Sequence, residues 1–196
     1  MGWGTGVAVV QTFYDNGQTM IWIFGDSFSA SKNPESWVSL LDQPVNNFAS
    51  NGSSEYRIYK NYYAERCNIG TSDTVLFVHT SPSRIFLKDD KAMSSRQLES
   101  HPSCDIIIND VYEKKEKEYI RILESIWDDE YFNDVFDLMV DKLQAVPNSV
   151  HLTFFETSRS DIVQLNHLWT ANPGDINHMD KIGNQLVADV INQLIH

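Results

Sequence analysis

The sequence predicts a three-layer α/β domain built on a parallel sheet. Three observations point there. Short uninterrupted apolar runs, such as Met20-Ile-Trp-Ile-Phe24 and Thr74-Val-Leu-Phe-Val78, stop abruptly at polar turn residues. Segments with helical apolar spacing stand between these runs, so that strands and helices alternate,. The polar clusters richest in reactive side chains follow the carboxyl ends of the runs, where open α/β sheets place their ligands.

The elements follow in order. Met20–Phe24 is a buried strand stopped by Gly25-Asp26-Ser27,. Pro34 suits a first helical position, with Trp37, Leu40 and Leu41 on one face of a helix over 34–41,. Val45–Phe48 is a second strand. Ser53 or Ser54 caps the next helix, along which Tyr56, Tyr59, Lys60 and Tyr63 recur at helical spacing,. Thr74–Val78 is the third strand, closed by His79-Thr80-Ser81-Pro82-Ser83. Residues 88–105 are polar and aperiodic and read as a long loop or lid. A helical pattern runs over 110–143, and its Glu/Lys-rich stretch at 113–118 reads as a solvated face,. Val150–Phe155 is the fourth strand. A loop then leads to Pro173-Gly174 and a last helix over 178–194, with Ile182, Leu186, Val187, Val190, Ile191 and Leu194 expected to face inward. Trp22 and Trp37 are expected in the core.

Residues 1–19 fit this scheme poorly. Asp15-Asn16-Gly17 between two apolar stretches suggests a hairpin, yet the strand at 21–24 should be central, with no free edge for it,. The expected organisation is an extension over 1–19 and one domain over 20–196.

Composition narrows the function. The chain has 196 residues, 42% hydrophobic and 21% charged, a folded globular balance,. Its 15 basic against 27 acidic residues leave a net charge of −12. That argues against nucleic acid or an anionic membrane as partner. No apolar run approaches the ~18 residues of a membrane span, and the N-terminus lacks the basic and apolar regions of a signal peptide. A cytoplasmic protein is expected, with Cys67 and Cys104 as free thiols, since their spacing fits neither a metal nor a redox motif,.

Two motifs carry chemistry. Ser27 falls on a turn directly after a buried strand, a position that presents a hydroxyl above the sheet; a serine nucleophile needs such exposure and a base in reach. Glycine, aspartate and serine are also ordinary turn residues. Asp175 and His178 stand three apart before the last helix. The carboxylate can accept from one imidazole nitrogen and leave the other to face a serine. Equally, Asp175 is suited to cap the helix, with His178 as a surface residue of its first turn.

Taken together in this order, the nucleophile turn after the first strand and Asp175-x-x-His178 before the last helix resemble the GDSL, or SGNH, hydrolase family. Asn47-Phe-Ala-Ser-Asn-Gly52-Ser-Ser is similar to that family's second block, in which a glycine offers its N–H to an oxyanion hole; Gly52 is the matching residue. The resemblance spans roughly 20–195. It implies a flavodoxin-like α/β fold and an esterase or deacylase acting on an acyl ester of a lipid, sugar or small molecule. It also implies Ser27 as nucleophile, His178 as base, Asp175 as its orienting acid, and no metal or organic cofactor.

The third block departs. The family's Gly-x-Asn-Asp is replaced by His79-Thr80-Ser81-Pro82-Ser83-Arg84. Thr80 is the favoured substitute for the missing asparagine as oxyanion donor, together with the N–H groups of Ser27 and Gly52; Ser81 and Arg84 are the alternatives. Loss of one such donor costs on the order of a hundredfold in rate. Asn109-Asp110 arrives too late, at the start of the long helix. His79 stands at the expected site mouth, either as a substrate contact or as a strand-end polar residue, and Trp169 either lines an acyl pocket or simply packs. The remaining histidines, His101, His151, His167 and His196, have no partner pattern. The missing asparagine also allows a different class of function, an SGNH-like fold kept for binding or as an accessory protein.

Overall fold

A computed structural model describes residues 19–31, 33–85, 106–107, 128–174 and 179–196. The extension over 1–19, apart from Thr19, therefore lies outside the described residues, as do the whole of the expected lid and the first half of the expected long helix.

Five parallel strands form the main sheet: β1 (Ile21–Gly25), β2 (Val45–Asn47), β3 (Thr74–His79), β6 (Ser149–Thr153) and β7 (Val163–Gln164). Their order is β2-β1-β3-β6-β7. This is the doubly wound flavodoxin-like order, in which the winding reverses between β1 and β3. A separate two-stranded antiparallel ribbon pairs β4 (Arg84–Ile85) with β5 (Ile106–Ile107).

Both faces of the sheet are apolar because successive strand residues point to opposite sides. Ile21, Ile23, Leu76, Val78 and Leu152 form one core layer with Trp37 and with Val187, Ala188 and Ile191 of helix α4 (Lys181–Ile195). Trp22, Phe24, Val75 and Phe77 form the other, against Ile58 of α1 (Glu55–Glu65) and Leu143 of α2 (Asp129–Gln144). Helices thus cover both faces, and the three-layer α/β/α architecture read from the sequence is the one observed. Trp22 and Trp37 are buried in these layers.

Several boundaries differ from expectation. The segment after Pro34 makes only a 3-10 turn, Trp37–Leu40, with Trp37 and Val38 buried. Ser54 does cap α1, accepting from the Arg57 N–H. That helix turns Ile58 and Glu55 inward and leaves Tyr56 and Tyr63 exposed. The loop before Pro173 holds two unforeseen elements, β7 and helix α3 (Asn166–Ala171), both too short to show a period,. The last helix begins at Lys181 with Asp180 as its cap, so the capping role considered for Asp175 falls to another residue. Ile182, Leu186 and Leu194, expected inward, are 64%, 39% and 43% exposed. Val187 and Ile191 are buried as expected, and Gly183 joins them: their four-residue spacing makes a narrow stripe, and a helix lying on a flat sheet buries little more,.

Candidate active site

β1 ends inside the sheet beside its topological reversal, and the turn that follows is held by its own backbone and by Asp26. The Ser29 and Ala30 N–H groups donate to the Asp26 carbonyl at 3.1 and 3.0 Å, and the Phe28 N–H donates to Asp26 Oδ1 at 3.0 Å. Gly25 is required by close approach: a Cβ there would lie 2.3 Å from Ser29 Oγ and 2.8 Å from Val78 Cβ. This packing leaves Ser27 partly exposed between buried Asp26 and buried Phe28. Among the described residues neither the hydroxyl nor the N–H of Ser27 makes a hydrogen bond.

The β2–α1 turn is laced to this one. Phe48 N–H donates to the Ile23 carbonyl, Ser50 N–H to the Gly25 carbonyl, and Asn47 Nδ2 to the Ser29 carbonyl at 2.7 Å. Gly52 adopts φ 69°, the left-handed region that favours glycine,. Its N–H also makes no hydrogen bond among the described residues. A cavity of about 360 Å³ opens here, lined by Ser27, Phe28 and Asn51 from these turns and by Met179 and Asn184 from the far end of the chain.

Asp175 and His178 lie outside the described residues. Their flanks are closely joined. Pro173 and Met179 form an antiparallel bridge, and Asp180 N–H donates to the Asn172 carbonyl at 3.0 Å. A Cβ on Gly174 would meet the Met179 backbone at 2.6 Å. Met179, the residue after His178, lines the same cavity as Ser27.

Thr80 is placed otherwise than expected. It is buried, and its hydroxyl donates to Asp26 Oδ2 at 3.1 Å rather than toward the Ser27 cavity. Thr80 lines a different cleft, of about 170 Å³, with Phe136 and Thr153. Ser81 and Arg84 line a third, mostly apolar slot with Phe132 and Met139. The reason is sheet geometry. β3 runs one residue further than β1 does in their shared register, so its exit passes beside Asp26, which is itself buried under the turn. Burial pushes the Asp26 carboxyl up to about 6, with nearby Glu55 adding to the rise; Arg84, the Phe28 N–H and the Thr80 hydroxyl act in the opposite direction,.

A buried polar chain continues from this point. Glu55 Oε1 lies 2.8 Å from His79 Nδ1, His79 Nε2 lies 2.8 Å from His151 Nδ1, and His151 Nε2 lies 2.9 Å from Ser149 Oγ. The Ser149 hydroxyl donates to the Val146 carbonyl at 2.7 Å, so it can only accept from His151. His151 therefore carries its proton on Nε2, and its Nδ1 accepts from His79 Nε2. One further proton lies between His79 Nδ1 and Glu55. Burial and the neighbouring His79 hold the His151 ring down to about 3, which keeps it neutral. His79 is thus an interior residue, not a substrate contact at the site mouth. His151 gains a partner the sequence did not suggest, because only the β3–β6 pairing brings residues 72 apart onto one face. Trp169 packs edge-on against Phe28, with ring centroids 5.1 Å apart.

Among the described residues no group of three or more His, Cys, Asp or Glu is arranged to hold a metal ion, and no helix is long and apolar enough to cross a membrane. Neither the family models nor the curated proteins contain a match to the chain. Among solved structures it is similar to a member of the lipolytic protein G-D-S-L family from Veillonella parvula DSM 2008. The two share 13% identity and a TM-score of 0.43 over 90% of this chain and 97% of that one.

Proposed function

We propose that the chain is a serine hydrolase of the SGNH type that cleaves a carboxylic ester or removes an acyl group. Ser27 attacks the acyl carbonyl. His178 takes the hydroxyl proton and returns it to the leaving alcohol, while Asp175 orients the imidazole. The N–H groups of Ser27 and Gly52 stabilise the tetrahedral oxyanion. The observation that carries this reading is the pair of N–H groups at Ser27 and Gly52, both without protein partners among the described residues, on two interlaced turns at the sheet's reversal. A cavity of about 360 Å³ adjoins Ser27 and Asn51, the residue before Gly52.

One observation favours a non-catalytic binding role instead: the Thr80 hydroxyl, the favoured third oxyanion donor, is committed to Asp26. Reaction with a fluorophosphonate probe and turnover of a short acyl ester decide between the two. The hydrolase reading expects labelling at Ser27 and turnover that Ser27→Ala abolishes at unchanged thermal stability. Activity retained in Ser27→Ala removes Ser27 as nucleophile; no labelling and no turnover in the wild type favours the binding role.

A further inference from the structure

Three loops meet at the carboxyl end of the sheet, and buried side chains join them without a break. The Ser27 turn is held through the Asp26 carboxylate, whose Oδ1 accepts from the Phe28 N–H and whose Oδ2 accepts from Thr80 Oγ1. Thr80 is the first residue of the β3 exit, and its own N–H points to Glu55 Oε2 at 3.4 Å. Glu55 is the first residue of α1, three positions after Gly52, and its other oxygen bonds His79 on β3. Asp26, Thr80, Glu55 and His79 are all buried, so each of these bonds is made away from competing water,.

We propose that Glu55 is a positioning residue: its carboxylate fastens the Gly52 turn to the exit of β3 and, through Thr80 and Asp26, to the Ser27 turn, so that the two oxyanion N–H groups are held in register. The proposal rests on the hydrolase reading for its catalytic consequence. It gives the altered third block a role different from oxyanion donation. Thr80 does not replace the amide that is missing; it stiffens the two donors that remain. The His79–His151–Ser149 chain anchors the other side of Glu55 to β6. The polarity set by the Ser149 hydroxyl leaves His79 Nδ1 facing the carboxylate with a single shared proton.

Full-length wild type is compared with Glu55→Ala, Glu55→Gln, Thr80→Val and Thr80→Ser. Amide hydrogen exchange is read at Phe28, and kcat and KM are read on p-nitrophenyl acetate. In Glu55→Ala and Thr80→Val the Phe28 amide should exchange about tenfold faster or more after correction for global stability, as a locally released turn does. The same two variants should lose about tenfold or more in kcat with KM nearly unchanged, as expected when transition-state donors lose alignment. Glu55→Gln should behave as wild type, because its amide can donate to His79 Nδ1 and accept from Thr80 N–H. Thr80→Ser should likewise restore the link to Asp26. If Glu55→Ala does not fold, the Thr80→Val and Thr80→Ser pair carries the same comparison. Unchanged Phe28 exchange in Thr80→Val overturns the proposal, as does wild-type kcat in that variant when the wild type is active. If the wild type shows neither turnover nor labelling of Ser27, the hydrolase reading fails by itself, and the exchange data still decide whether the loops are coupled.

Discussion

Thr80 Oγ1 donates to Asp26 Oδ2 across 3.1 Å, joining the exits of β3 and β1 beneath the turn that presents Ser27. Neither residue reaches solvent to any useful degree, at 1% and 0% exposure. The carboxyl of Asp26 sits at about 6, above its ordinary 3.8, chiefly because burial penalises its charge.

That displacement has a consequence for stability. The folded chain binds the Asp26 proton more tightly than the unfolded chain does, so stability falls as pH rises from about 3.8 through 6,. Above that window the buried carboxylate costs on the order of 3 kcal/mol. Asp26→Asn should therefore gain stability relative to wild type between pH 4 and pH 7, by roughly that amount. Urea unfolding of both proteins at the two pH values measures it, and parallel pH dependence would count against a charged, buried Asp26.

His151 acts in the opposite direction. Its ring is held neutral down to about 3, while in the unfolded chain it takes a proton near 6.5. The stability this neutrality provides is complete above 6.5 and is lost as pH falls from there toward 3. His151→Gln keeps an acceptor for His79 Nε2 and cannot charge. Its acid unfolding should show a shallower loss of stability between pH 6.5 and 4 than that of wild type, followed by circular dichroism. An identical slope in the two proteins would mean that His151 is protonated in the fold.

Gly25 tests how tightly the nucleophile turn is packed. A methyl group there would overlap Ser29 Oγ at 2.3 Å and Val78 Cβ at 2.8 Å. Gly25→Ala should cost about 1–3 kcal/mol by overpacking and should slow ester turnover as well, because Ser29 must move. A thermal melt and a turnover assay on the same preparation check both. A variant with wild-type stability would show that the turn has slack.

Under the hydrolase reading, turnover should rise with pH through about 6 to 7, where a histidine base becomes neutral. A chemistry-limited assay that is flat over this range would sink His178 as the base.

Much of the architecture was legible in the sequence because its cause is local. Ile21 to Phe24 and Thr74 to Val78 are apolar on both faces, and only a covered parallel sheet buries both. The abrupt stop at Gly25-Asp26-Ser27 marked the first turn; the left-handed conformation of Gly52 came only with the structure. The partners of Thr80, His79 and His151 were not legible because they are remote in the chain. Asp26 is 54 residues from Thr80, and His79 is 72 residues from His151. No spacing rule covers such distances. Glu55 carries no motif that singles it out in the sequence. Strand order and register alone bring it against His79 and Thr80, and burial then gives those polar groups no partners but one another,.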